Sequence, residues 1–166
     1  MTDEGQVIAM HPTALSVRKS ITVEVAPERA FEVFTEEVDT WWVREHHAGP
    51  GELERVVIEP RQGGRLFNRE VGGNEVDWGK VLAWEPPDRL VLGWQLNAQW
   101  QFDADLVTEV EVTFTAAESG ATLVVLEHRN LERYAEAAQE VHAALDSDQG
   151  WGGSLASFAK AARRSA

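Results

Sequence analysis

Six short segments that read as β-strands, set off by turn residues, follow one another between residues 52 and 129. They are ELERVVIEP (52–60), GGRLFNREV (63–71), EVDWGKVLAWEP (75–86), DRLVLGWQL (88–96), TEVEVTFTA (108–116) and ATLVVLEHR (121–129). Strands joined by short connections form an antiparallel sheet, because parallel neighbours need long crossovers. A seventh strand, SVRKSITVEV (16–25), precedes them and is followed by APERAFEVFT (26–35), an amphipathic helix with Pro27 at its first position. EVDTWWVREHHAGPGE (37–52) reads as a helical turn running into a loop. After residue 130 the rhythm changes. Leu131, Tyr134, Ala138, Val141, His142 and Leu145 fall on one face of a long helix, and a last helix follows. The expected fold is α+β, a curved antiparallel sheet of six to seven strands wrapped around a C-terminal helix.

A sheet of that width twists and curls. One helix cannot cover its concave side completely, so space is expected between them. Ligand cavities are concave and mostly apolar, with a few polar groups that set orientation. The 166-residue length fits a single domain (17–166) behind a flexible arm (1–16). With 28 acidic against 15 basic residues the formal charge is −13, which repels phosphate backbones, so nucleic-acid binding is not expected. Cysteine is absent, which rules out disulfides and thiolate sites and suits a reducing cytosol. No apolar run reaches the roughly 18 residues of a membrane span, and the N-terminus lacks a signal-peptide pattern. A cytoplasmic protein without membrane contact is expected.

Several stretches together resemble a known family: ITVEVAPERAFEVFTEEVDTWW (21–42), EPRQGGRLFNR (59–69), DWGKVLAWEPPDRLVLGWQL (77–96) and GWGGSLASFA (150–159). In this order and spacing the chain is similar to START-like (SRPBCC, Bet v 1-like) domains of the activator of Hsp90 ATPase homologue 1-like type, in particular small stand-alone bacterial members. The resemblance implies a helix-grip fold with a pocket between sheet and helix. It also implies a function among hydrophobic-ligand carriers, cyclases and co-chaperone modules. The eukaryotic Hsp90 activators carry a further N-terminal domain, for which residues 1–16 leave no room, and this points away from a chaperone partner.

Tryptophan is the most informative residue type. The seven stand at 41, 42, 78, 84, 94, 100 and 151, and such side chains either fill a core or wall an aromatic pocket. Trp41 and Trp42 precede His46 and His47 near the expected pocket entrance. Adjacent histidines point apart and make a poor metal pair, so neither a metal site nor a cofactor is expected. On the 75–86 strand strict alternation places Trp78 with Lys80, which is awkward inside unless a bulge at Gly79 changes the face. Trp94 and Trp100 flank neutral amides at Asn97, Gln99 and Gln101, a combination suited to an uncharged or aromatic guest. Glu127 and His128 must face opposite ways, and His128 is placed inside as a weak acid–base candidate. Phe67, Phe114, Leu155 and Phe158 complete the expected pocket wall.

The segment SDQGWGGSLASFA (147–159) poses a question of its own. Glycines at 150, 152 and 153 weaken a helix around Trp151, at about 1 kcal/mol each. Either the helix starts close against a neighbouring element with Trp151 in the hollow, or the glycines form a turn with Ser154 capping a helix from Leu155. The leading functional expectation is binding of a small hydrophobic or aromatic molecule without catalysis. The alternatives are a cofactor-free cyclase or hydrolase using the same cavity, and a protein-interaction module of the Hsp90-activator kind. An exposed sheet edge leaves a homodimer open.

Overall fold

The computed structural model describes residues 14–43 and 49–164. β1 (Val17–Val23) is followed by α1 (Pro27–Thr35) and a single 3-10 turn (Val38–Thr40). Then come β2 (Leu53–Ile58), β3 (Arg65–Glu70), β4 (Glu75–Glu85), β5 (Arg89–Trp94), β6 (Thr108–Ala116) and β7 (Thr122–Arg129). A 3-10 segment (Leu131–Ala137), α2 (Ala138–Asp146) and α3 (Trp151–Arg164) complete the described fold. The seven strands form one sheet in the order β1-β7-β6-β5-β4-β3-β2, antiparallel throughout. The sheet is curled, and the helices occupy its inner side as in a helix grip.

Alternation sets the inner face most plainly on β6 and β7. Val110, Val112 and Phe114 of β6, with Val124, Leu126 and His128 of β7, are all nearly inaccessible. The residues between them point outward, where Arg89 and Arg129 pair with Glu109 and Glu111. On β4 the alternation is broken twice. The register shifts once against β3, where Leu66 pairs with Gly79 and Phe67 with Asp77, and once against β5, where Val81 pairs with Leu92 and Ala83 with Val91. Each extra residue reverses the face. Trp78 and Val81 therefore turn inward while Lys80 and Leu82 stay exposed. A Cβ at Gly79 would lie 1.9 Å from the Gly93 carbonyl oxygen, so only glycine permits this approach of β4 to β5.

The single helix expected over 131–145 is instead broken. Asn130 and Ala135 both adopt positive φ (68° and 55°), and α2 begins only at Ala138. Two tethers account for the break. The Leu131 amide donates to the Leu15 carbonyl and the Tyr134 hydroxyl donates to the Leu96 carbonyl, holding the first turn against the end of the sheet. The backbone must then reverse to bring Ala138, Val141 and Leu145 onto the core. Leu15 and Ser16 are engaged as well: Glu132 accepts from the Leu15 amide, and the Ser16 carbonyl meets His142 Nε2.

α3 begins at Trp151, so Gly152 and Gly153 are helical and the turn with Ser154 as N-cap is not formed. A Cβ at Gly153 would lie 2.2 Å from the Asp148 carbonyl oxygen, and one at Gly150 would lie 2.4 Å from that of Leu145. The glycines let the helix start hard against the α2–α3 connection. α3 then packs on β1 and α1, with Leu155, Phe158, Ala161 and Ala162 buried.

Candidate functional site

Aromatic side chains fill the space between sheet and helices in two lobes of different character. One lobe is solid. Phe31 meets Trp84 and Phe114 edge-on (4.9 and 5.2 Å between centroids), and Phe34 meets Phe114, Trp41 and Phe158. Trp41 Nε1 donates to the Val33 carbonyl, and Ser157 Oγ donates to the Trp41 carbonyl, locking the end of the 3-10 turn to α3. This lobe is ordinary core, fixed by the amphipathic face of α1.

The other lobe is hollow. Trp42 stacks on Trp78 at 5.3 Å, Trp78 meets Trp94 edge-on at 5.6 Å, and Trp94 meets both Trp151 (5.7 Å) and Trp100 (6.1 Å) edge-on. Trp42, Trp94, Trp100 and Trp151 line a cavity of about 340 Å³. Its opposite side is the end of α2 (Ala144, Leu145), the connection into α3 (Ser147, Gln149, Gly150) and Ser154 in the first turn of α3. None of these described lining residues is titratable. The indole N–H groups of Trp42 and Trp78 are buried with no acceptor among the described residues.

A directed chain of hydrogen bonds holds Trp151 in this wall. Its indole N–H, which can only donate, points to His128 Nδ1 at 3.1 Å. The neutral imidazole therefore carries its proton on Nε2, which lies 2.8 Å from Thr108 Oγ1. Beyond Thr108, which faces it, the Tyr134 hydroxyl donates a hydrogen bond to the Leu96 carbonyl at 2.6 Å. Trp94 Nε1 is directed towards the same hydroxyl without reaching hydrogen-bond geometry. Burial pushes the His128 pKa down to about 3 and that of Tyr134 up to about 12. Both groups stay uncharged at neutral pH, and both nitrogens of His128 are engaged within the protein.

The residues singled out from sequence thus separate. Trp42, Trp94, Trp100 and Trp151 come together on the cavity, with Trp78 directly behind Trp42. His128 is inside but lies behind Trp94 and Trp151. Trp41, Phe114 and Phe158 belong to the solid lobe, and Leu155 is buried in the same core without reaching the cavity lining. Phe67 lies apart. It shares its face of β3 with Arg65, whose guanidinium sits 4.2 Å above the ring, while Leu66 points to the core. His46 and His47 lie outside the described residues. Sequence reading missed the α2–α3 connection as a wall, although its glycines marked a close approach, and it missed Thr108 and Tyr134 as hydrogen-bond partners. No group of three or more potential metal ligands occurs among the described residues. No helix among them is long and apolar enough to cross a membrane.

Similarity to known proteins is consistent with this geometry. A structure of an anthrahydroquino-γ-pyrone synthase, Txn09, complexed with SUM is 38% identical, covering 88% of this chain and 96% of the other with a TM-score of 0.62. The self-sacrificing resistance protein CalC from Micromonospora echinospora is 29% identical, covering 90% and 95%, with a TM-score of 0.67. The Aha1 dimer from Colwellia psychrerythraea shares the fold at 16% identity, covering 90% and 96%, with a TM-score of 0.59. No curated protein sequence matches significantly. The family model described as "Activator of Hsp90 ATPase homolog 1-like protein" matches residues 24–163, and the chain belongs to that family, within the START-like (SRPBCC) superfamily.

Proposed function

We propose that this protein binds a flat, uncharged aromatic molecule in the cavity between the Trp94 end of the sheet and the α2–α3 connection. The observation that carries the reading is the lining itself: four indoles and no charged side chain among the described residues. Its volume of about 340 Å³ falls within the ~300–1,000 Å³ usual for small-molecule sites. Indole walls favour planar rings through stacking and edge contacts. Trp42 lines the cavity with no acceptor for its indole N–H among the described residues, and a guest carrying a carbonyl or phenol oxygen would supply one after a small shift. The name of the 38% identical relative, an anthrahydroquino-γ-pyrone synthase, supports a fused-ring, oxygen-bearing guest.

The test is a titration of the purified protein with a panel of fused-ring quinones and phenols, read by quenching of tryptophan emission. Saturable quenching is expected, together with its loss in Ala144→Trp, which blocks the mouth from an exposed position. Absence of saturable quenching across the panel would remove the reading.

The same relative favours a second reading, in which the cavity folds an open-chain precursor and ring closure follows. With no acid or base in the described lining, acceleration would come from holding an enol or phenol oxygen against the carbonyl carbon it attacks; the new C–O bond closes the ring and the displaced oxygen leaves as water. His128→Asn would then retain turnover, since His128 faces Trp151 and Thr108. Incubation with open-chain aryl β-diketones, followed by mass spectrometry, tests this, and no gain over buffer rejects it.

A further inference from the structure

We propose that Trp100 is the residue that sets guest size in this cavity, favouring fused-ring molecules over single rings. The proposal rests on the binding reading above and deepens it. It starts from a conflict between local backbone and side chain. Leu96 and Phe102 form a bridge, the Asn97 amide donates to the Gln101 carbonyl at 2.8 Å, and the Trp100 amide donates to the Asn97 carbonyl at 2.9 Å. Residues 98–100 are therefore a three-residue hairpin loop, whose last position is left-handed and ordinarily falls to glycine. Here it holds tryptophan at φ 62°. A bulky side chain in that region is uncommon and is retained where something other than folding requires it.

Burial does not supply that reason. Trp100 is 43% exposed, whereas Trp94 and Trp151 are 4% and 3% exposed. Its indole meets Trp94 edge-on and forms the outer part of the cavity wall. The loop is fixed rather than loose: Asn97 Oδ1 accepts from the amides of both Gln99 and Gln101 (2.9 and 3.0 Å). The hairpin thus presents a rigid aromatic surface at the mouth, above a floor of buried indoles. A single ring that settles against Trp94 and Trp151 leaves Trp100 untouched. A fused ring system that extends outward gains a further aromatic contact there.

Glycine is the natural occupant of the backbone position, so Trp100→Gly removes the ring without straining the loop. The probes are quinizarin, a dihydroxyanthraquinone, and catechol, a single ring. In Trp100→Gly, quinizarin affinity is expected to fall by about tenfold, a loss typical of one aromatic contact. Catechol affinity should change by less than about twofold. The melting temperature should change little, because relief of the left-handed strain offsets the lost edge contact with Trp94. Trp100→Phe should recover most of the quinizarin affinity. Equal quinizarin affinity in wild type and Trp100→Gly overturns the role of Trp100 while leaving the cavity reading intact. Parallel loss for both probes overturns the size selectivity. Failure of the wild-type protein to bind either probe overturns both readings. A lowered melting temperature in Trp100→Gly shows that the indole serves folding and overturns the argument from strain.

Discussion

His128 occupies the one inward position on the last strand where a polar ring is placed among apolar neighbours, and its neutrality is a property of the fold. Its pKa falls from the usual 6.5 to about 3 because burial penalises the charged form. The unfolded chain therefore takes up a proton that the folded chain refuses. This contribution to stability is complete above pH 6.5 and is lost as pH falls towards 3. Between pH 7 and pH 5 the loss is about 2 kcal/mol. Glu111, held below the usual carboxylate range by the guanidiniums of Arg129 and Arg89, and Glu75 and Asp146, lowered likewise by Arg69 and Lys19, give up their share only below their ordinary values, so among the described groups with a shifted pKa the window above pH 5 belongs to the histidine. Urea unfolding at the two pH values should show this difference in the wild type and not in His128→Leu. That variant should itself lose about 2–4 kcal/mol at pH 7, since the Trp151 N–H and the Thr108 hydroxyl lose their partner. The inward placement of His128 and the outward placement of Glu127 were legible in the sequence, because VVLEHR alternates without interruption. The bond to Trp151 was not, since nothing local ties residues 23 positions apart.

At the scale of elements, what could be read depended on whether local pattern or tertiary contact decided the outcome. β6 and β7 follow their alternation. β4 does not, because two extra residues reverse its faces, and only the awkwardness of a buried Lys80 hinted at it. The stretch 131–145 is rich in leucine, alanine and glutamate and reads as helix by propensity. Its break at Ala135 is imposed by the tethers on Leu131 and Tyr134. The start of α3 shows the balance most sharply. A Cβ at Gly152 would come no nearer than 3.6 Å to Ser147 O, while one at Gly153 would collide with the Asp148 carbonyl. Gly152→Ala should thus stabilise the protein by about 0.5–1 kcal/mol, the ordinary helix gain. Gly153→Ala should destabilise it by about 1–3 kcal/mol, because the helix or the connection must shift. Calorimetric melting temperatures should accordingly move in opposite directions, by about 2–4 °C per kcal/mol.

For the molecule as a whole, the division of aromatics into a solid and a hollow lobe separates the rings that fill the core from those that enclose space. The tryptophan content announced an aromatic interior, but which indoles fill it and which enclose space depends on where α1 and the α2–α3 connection dock. Those contacts link residues far apart in the chain. Just before the connection, Asp146 at the end of α2 pairs with Lys19 of β1 at 2.9 Å, with both side chains partly exposed. Occupying the cavity should add to overall stability by mass action, by about 2.7 kcal/mol at a hundredfold excess over the dissociation constant. For a chain of this size that is a rise of about 5–10 °C in melting temperature. Thermal scans against guest concentration check it, and a midpoint that stays fixed across a concentration range giving saturable quenching would contradict it. The indole array running from Trp42, stacked on Trp78, through the edge-on contacts of Trp78 with Trp94 and of Trp94 with Trp151 has an optical corollary. Indole transitions held within about 6 Å should couple, and the native protein is expected to show an exciton couplet in circular dichroism. Entry of a guest would perturb that couplet, so the chain carries its own spectroscopic gauge of whether the chamber is full.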